Sequence, residues 1–207
     1  MPNITMNKVY VSGPPKLVTD LIYSIETRDP NIPKEQRMVF DFQSIIPMPK
    51  PLRNVETGHN IDCTGKRCDH WRVTKGKTVA IPRSTLKRWK KRYGTTNWWD
   101  WSSDNWGTKW NAMVPEIAAR NPDLVVYEFN TAWAAPWPIY SRLCEAYPEL
   151  NITWEAAFEE DGYKTWHVFP KKEQEMEEYQ GSFEKEKEAY NEFKAKLNRG
   201  DINLEKG

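Results

Sequence analysis

Apolar and polar side chains alternate over residues 6–12, with Val9 and Val11 on one face and Tyr10 on the other, which predicts a strand. Gly13, Pro14 and Pro15 end that strand and open a helix, where the missing proline N–H would be unpaired in any case. Leu17, Val18, Leu21, Ile22 and Ile25 follow at helical spacing and make one apolar stripe. Alternation returns over residues 38–45, where Met38, Phe40 and Phe42 oppose Val39, Asp41 and Gln43, and this segment reads as a second strand. Pro47, Pro49 and Pro51 stop it, because proline cannot donate to a ladder.

The same order recurs later. Residues 124–133 predict a strand, and Pro136 and Pro138 again mark a helix start. Ile139, Tyr140, Leu143, Cys144 and Tyr147 repeat the offsets of the first helix. Residues 151–159 return as a strand with Ile152, Trp154, Ala156 and Phe158 on one face, and residues 163–169 complete a hairpin around Gly162. Strand, proline-initiated helix and strand therefore occur twice, with connections long enough for crossovers. The expected fold is α+β: one domain over residues 1–170, a ferredoxin-like antiparallel sheet from two βαβ units with helices on one side. An insert at about residues 52–96 separates the halves, and residues 107–111 read as a strand leading into the second. In the tail, residues 171–207, Met176, Tyr179, Phe183, Glu186, Tyr190, Phe193 and Leu197 recur at alternating steps of three and four. That seam predicts a charged C-terminal helix, either docked on the domain or used to form a homo-oligomer.

Charge sharpens the reading of the insert. The chain balances 30 basic against 29 acidic residues, so a net charge of +1 provides no whole-chain pull toward nucleic acid or membrane. Residues 64–92, however, hold eleven Lys and Arg and one acid, Asp69. Residues 82–93 predict a basic helix with Leu86, Trp89 and Tyr93 as its apolar stripe and Gly94 as its stop. No apolar run approaches the roughly 20 residues of a membrane span. Without a signal-peptide pattern, three cysteines read as free thiols in a reducing cytoplasm.

The tryptophans and the insert carry the candidate chemistry. Five of eleven tryptophans fall in residues 97–111. Lys87, Arg88, Lys90, Lys91 and Arg92 beside Trp98 and Trp99 have the ingredients to neutralise phosphates and stack on unpaired bases. The plainer alternative is a solvated helix face over a Trp-rich core. His59, Cys63, Cys68 and His70 make a donor set of the kind that holds tetrahedral zinc, and the plainer alternative is a surface loop. There is no phosphate-cradling Gly-rich loop, nucleophile elbow or paired-His helix, so no enzyme signature stands out. Asp100 and Asp104 read as helix caps, Cys144 as a small core residue and His167 as a hydrogen-bonded strand residue.

Three segments carry a resemblance. Residues 42–52 (Phe-Gln-Ser-Ile-Ile-Pro-Met-Pro-Lys-Pro-Leu), residues 101–111 with Asn105-Trp106-Gly107-Thr108-Lys109-Trp110-Asn111, and residues 129–136 (Phe-Asn-Thr-Ala-Trp-Ala-Ala-Pro) are similar to signatures of the Api-like proteins of bacteriophages, plasmids and genomic islands. The resemblance covers roughly residues 6–169. It implies a ferredoxin-like C-terminal half and a mobile-element origin, and it transfers no catalytic residue. The expectation is a non-enzymatic accessory protein of the host-cell cytoplasm that binds a host protein or nucleic acid, with interference in host defence as its purpose. A nucleic-acid module using the insert, or a nucleotide-like ligand or enzyme site in a Trp-lined cleft, are the alternatives.

Overall fold

The computed structural model describes residues 3–158, 165–168 and 176–179, the last two segments by their backbone. In chain order the elements are β1 (Ile4–Ser12), α1 (Pro15–Ile25), the one-turn α2 (Phe42–Ile45), β2 (Glu56–Ile61), β3 (Arg67–Thr74), β4 (Lys77–Ala80), α3 (Arg83–Tyr93), α4 (Trp98–Trp106), β5 (Met113–Asn121), β6 (Leu124–Ala132), α5 (Trp137–Ala146), β7 (Asn151–Phe158), β8 (Thr165–Val168) and β9 (Met176–Tyr179). The architecture is α+β. Six strands pair in the order β5-β6-β1-β7-β8-β9, and β2-β3-β4 form a separate sheet. Every pairing is antiparallel.

β1 lies between β6 and β7, so Val9 faces Tyr127 on one side and Trp154 on the other. Strand alternation gives the central strands one buried face. Val9, Val11, Tyr127, Phe129, Ile152 and Trp154 share a core with the α1 stripe Leu21, Ile22 and Ile25 and with Ile139 and Leu143 of α5. Phe40 sits in the middle, 4.8 Å from the Phe129 ring and edge-on to Trp154 at 6.1 Å. Such offset and T-shaped pairs add specificity to apolar burial. A polar thread crosses this core without loose ends: Trp154 Nε1 donates to Asn7 Oδ1 (3.1 Å), and Asn7 Nδ2 donates to Thr131 Oγ1 (2.9 Å). On the opposite face, Lys8 pairs with Glu128 at 2.7 Å and the Tyr10 hydroxyl donates to Glu155 at 3.2 Å.

Three expectations are corrected. Residues 38–45 are not a strand. Phe40 and Phe42 are both buried, but Asp41 caps α2 by accepting from the Gln43 amide (2.9 Å), which turns the chain. The Asp41 carboxylate also accepts from Thr27 Oγ1 and Asn111 Nδ2, both at 2.8 Å. The sheet position next to β6 goes instead to β5, whose register with β6 shifts twice. Residues 107–111 are not a strand either; Gly107 turns left-handed (φ 77°) to end α4. In the charged tail, Met176–Tyr179 pair with β8 as β9 where the seam predicted helix, and the rest of that expected helix, residues 171–175 and 180–207, lies outside the described residues. No helix among the described residues is long and apolar enough to cross a membrane.

Candidate nucleic-acid interface

α3 forms as its sequence dictates. Trp89 is buried, with Leu86 and Tyr93 packed against the core beside it, and Gly94 closes the helix in the left-handed region (φ 78°). Arg72 of β3 reaches over the Trp89 ring (5.7 Å) and donates to the Pro51 carbonyl (2.9 Å), which docks the small sheet against the inner side of α3. Beyond Ser84 and Thr85 of the first turn, the exposed side of the helix is basic. Lys87, Arg88, Lys90, Lys91 and Arg92 are all exposed, and none joins an ion pair among the described residues. The Arg92 guanidinium instead lies over the Tyr93 ring at 5.4 Å. Cations in the last turn suit the negative end of the helix dipole. That explains Lys90, Lys91 and Arg92 locally but leaves Lys87 and Arg88 without an ion-pair partner among the described residues.

The turn after α3 is tied to the small sheet by Thr96, whose hydroxyl lies 2.9 Å from His70 Nε2. Asn97 then caps α4: its Oδ1 accepts from the Asp100 amide (2.9 Å), and its Nδ2 donates back to Asp100 Oδ2 (2.8 Å). The cap is therefore Asn97, with the Asp100 carboxylate accepting from its side-chain amide, and Asp104 is exposed inside the helix. Helical spacing divides the tryptophans. Trp101 and Trp106 turn inward, 5.6 Å apart, and Trp106 Nε1 donates to the Ile46 carbonyl (2.9 Å). Trp98 is half-buried and Trp99 is 52% exposed.

The two expected stacking residues do not stand alone. Lys109 returns from the loop after α4 and places Nζ 6.0 Å from the Trp98 ring, 5.2 Å from Trp99 and 4.6 Å from Trp110. The Ser102 hydroxyl lies 2.9 Å from the Trp99 carbonyl and 2.8 Å from that of Lys109, which fixes the loop against the helix. Lys109 and Trp110 depend on that return; their only sequence signal is a lysine set beside a tryptophan, ten residues or more after two others.

The proposed zinc donors are not brought together. Cys68 and His70 share one face of β3, whereas Asp69 faces the other way and meets His59 Nδ1 at 3.3 Å. Cys63 is exposed in the turn before β3. Strand alternation thus splits the set across two faces, and among the described residues no three His, Cys, Asp or Glu groups are placed to hold a metal ion. Burial pushes the Cys68 thiol up from its ordinary pKa. The turn itself is built by Asp62, whose carboxylate is held below its usual range by the Thr64 hydroxyl and the Lys66 amide. Cys144 is half-buried on α5, as its place in the apolar stripe implied. Comparison with family models, curated proteins and solved structures gives no match.

Proposed function

We propose that the chain is a non-enzymatic binding protein that engages a host macromolecule, and that nucleic acid docks on the basic face of α3. What supports this reading is the set of five exposed cations on α3 with no carboxylate partner among the described residues. A nucleic-acid backbone presents phosphates in a row, and each Lys or Arg that meets one on a single strand adds about 0.7 to the slope of log K against log salt. Replacing Lys87 and Lys91 by Gln is expected to lower that slope by about 1.4. The measurement is fluorescence anisotropy of a labelled single-stranded oligonucleotide across a salt series. No binding at low salt, or a slope the double variant leaves unchanged, refutes the proposal.

The resemblance to Api-like proteins supports a mobile-element source and interference with host defence as the purpose. The strand order supports reading β5-β6-β1-β7 with α1 and α5 as a ferredoxin-like unit, because each helix-bearing connection skips one strand. A protein partner is the second reading, favoured by Ile61 and Val73, which are 64% and 63% exposed on the small sheet. A pull-down from host lysate with and without nuclease separates the two: one stoichiometric protein in both arms favours the protein partner.

A further inference from the structure

The position of Lys109 calls for a physical account that the basic face of α3 does not supply. Its ammonium is within about 6 Å of three indole rings, the distance at which a ring quadrupole attracts a cation. Among the described residues no carboxylate forms an ion pair with it, so the π faces are its counter-charge. The arrangement is open to solvent, since Trp99 is exposed and Trp98, Lys109 and Trp110 are half-exposed. It is also held in shape, because the buried Ser102 hydroxyl bridges the main chain of Trp99 to that of Lys109.

We propose that Trp98, Trp99 and Trp110 form a cage for quaternary ammonium groups, and that Lys109 is its internal competitor, filling the cage until an alkylated cation displaces it. A lysine ammonium is strongly hydrated and loses water when it enters an aromatic box. A trimethylammonium group has the same charge and no N–H to desolvate, so the same three rings favour it over Lys109. Aromatic cages of this composition suit both choline-type molecules and methylated lysine side chains. The shared chemistry is the trimethylammonium head. The site is distinct from the α3 face and stands whether or not nucleic acid binds there.

The test compares native protein, Lys109→Ala and Lys109→Arg by calorimetry and tryptophan fluorescence, with choline and a trimethyl-lysine peptide as separate arms. Lys109→Ala is expected to bind one or both about tenfold more tightly than native protein, and Lys109→Arg, which keeps a cation over the rings, to bind as weakly as native. The arm with the tighter response identifies a free headgroup or a side chain as the source. The neutral carbon isostere 3,3-dimethylbutan-1-ol is expected to bind Lys109→Ala at least about tenfold more weakly than choline, because it lacks the charge. Adding Trp99→Ala to Lys109→Ala is expected to abolish saturable binding. Equal binding of choline and its isostere, or no saturable binding to Lys109→Ala with its circular dichroism unchanged, overturns the proposal.

Discussion

Asn111 ties the tryptophan segment to the core, and its removal has a calculable cost. Its Oδ1 accepts from the Phe42 amide (2.8 Å) and from the Ala112 amide (2.9 Å), and its Nδ2 donates to Asp41 Oδ1 (2.8 Å). Asn111→Ala deletes all three. A bond to a charged group contributes about 1.5–3 kcal/mol and a neutral one about 1 kcal/mol, so the full loss is about 3–5 kcal/mol. The site is half-buried, and water replaces part of what is lost, which brings the expected destabilisation to about 3 kcal/mol. Domains of this kind hold about 5–15 kcal/mol in total, so the variant stays folded in buffer but unfolds early. Urea unfolding followed by tryptophan fluorescence measures it, with the m-value expected to stay constant. Asn111→Asp is expected to be at least as damaging near neutral pH, because it sets a second carboxylate against Asp41. A loss below about 1 kcal/mol for Asn111→Ala refutes the reasoning, because the three bonds then return no net stability over water.

Other substitutions probe separate pieces. Asn97→Ala removes the α4 cap and is expected to cost about 1 kcal/mol in the same unfolding assay, whereas Asp104→Ala costs almost nothing. Gly94 and Gly107 both adopt φ near 78°, but a Cβ at Gly94 meets nothing within 4 Å and one at Gly107 falls 2.8 Å from Pro138 Cδ. Gly94→Ala is therefore expected to cost about 1 kcal/mol and Gly107→Ala about 2–4 kcal/mol; equal losses would refute the clash. The Tyr127 hydroxyl is buried without a hydrogen-bond partner among the described residues, and burial, with Glu26 nearby, raises its pKa well above the ordinary phenol value. The unfolded phenol ionises near pH 10 while the folded one stays protonated, so stability falls as pH rises beyond about 10. Tyr127→Phe is expected to be neutral or slightly stabilising at pH 7 and to flatten that alkaline loss, which unfolding curves at pH 7 and 10.5 check. Native protein is expected to alkylate quickly at Cys63 and slowly at Cys68, and to carry substoichiometric zinc after purification without chelator; one tightly held equivalent would mean the four donors do converge.

Where burial follows a simple period, the sequence was legible. β1, α1, α5 and β7 announce themselves because each has one wet and one dry face, as Val9, Leu21, Leu143 and Trp154 illustrate. Phe40 and Phe42 mimic that signal: two buried aromatics one residue apart satisfy strand alternation, but the polar residue between them is a helix cap rather than a solvent-facing strand position. β5 carries no comparable signal, since Glu116, Ala118, Ala119, Arg120 and Asn121 are all exposed on an edge broken by register shifts. The small sheet is obscure for the same reason, wet on much of both faces, although Lys75 and Gly76, at φ 50° and 72°, mark the tight turn between β3 and β4. In the candidate site, the basic helix was readable from its charge run, its Leu86, Trp89 and Tyr93 stripe and its Gly94 stop. The donor set around Cys68 misled because nearness in sequence is opposition across a strand, and the Lys109 cage was hidden because its members meet only when the loop after α4 folds back.

Each partner of β1 arrives late in the chain: Val9 pairs with Tyr127 and with Trp154. A chain emerging from the ribosome N-terminus first therefore exposes β1 and the apolar stripe of α1 long before either neighbouring strand exists. The small sheet pairs only adjacent segments and is free to form early, whereas α3 waits for the core that buries Trp89. The small sheet shortens the loop that must close, and each halving of its effective length recovers about 0.6 kcal/mol of closure entropy. A nonsense codon between α3 and β6 would thus leave a translated fragment with the small sheet and an orphaned sticky β1, a natural target for chaperones and proteases.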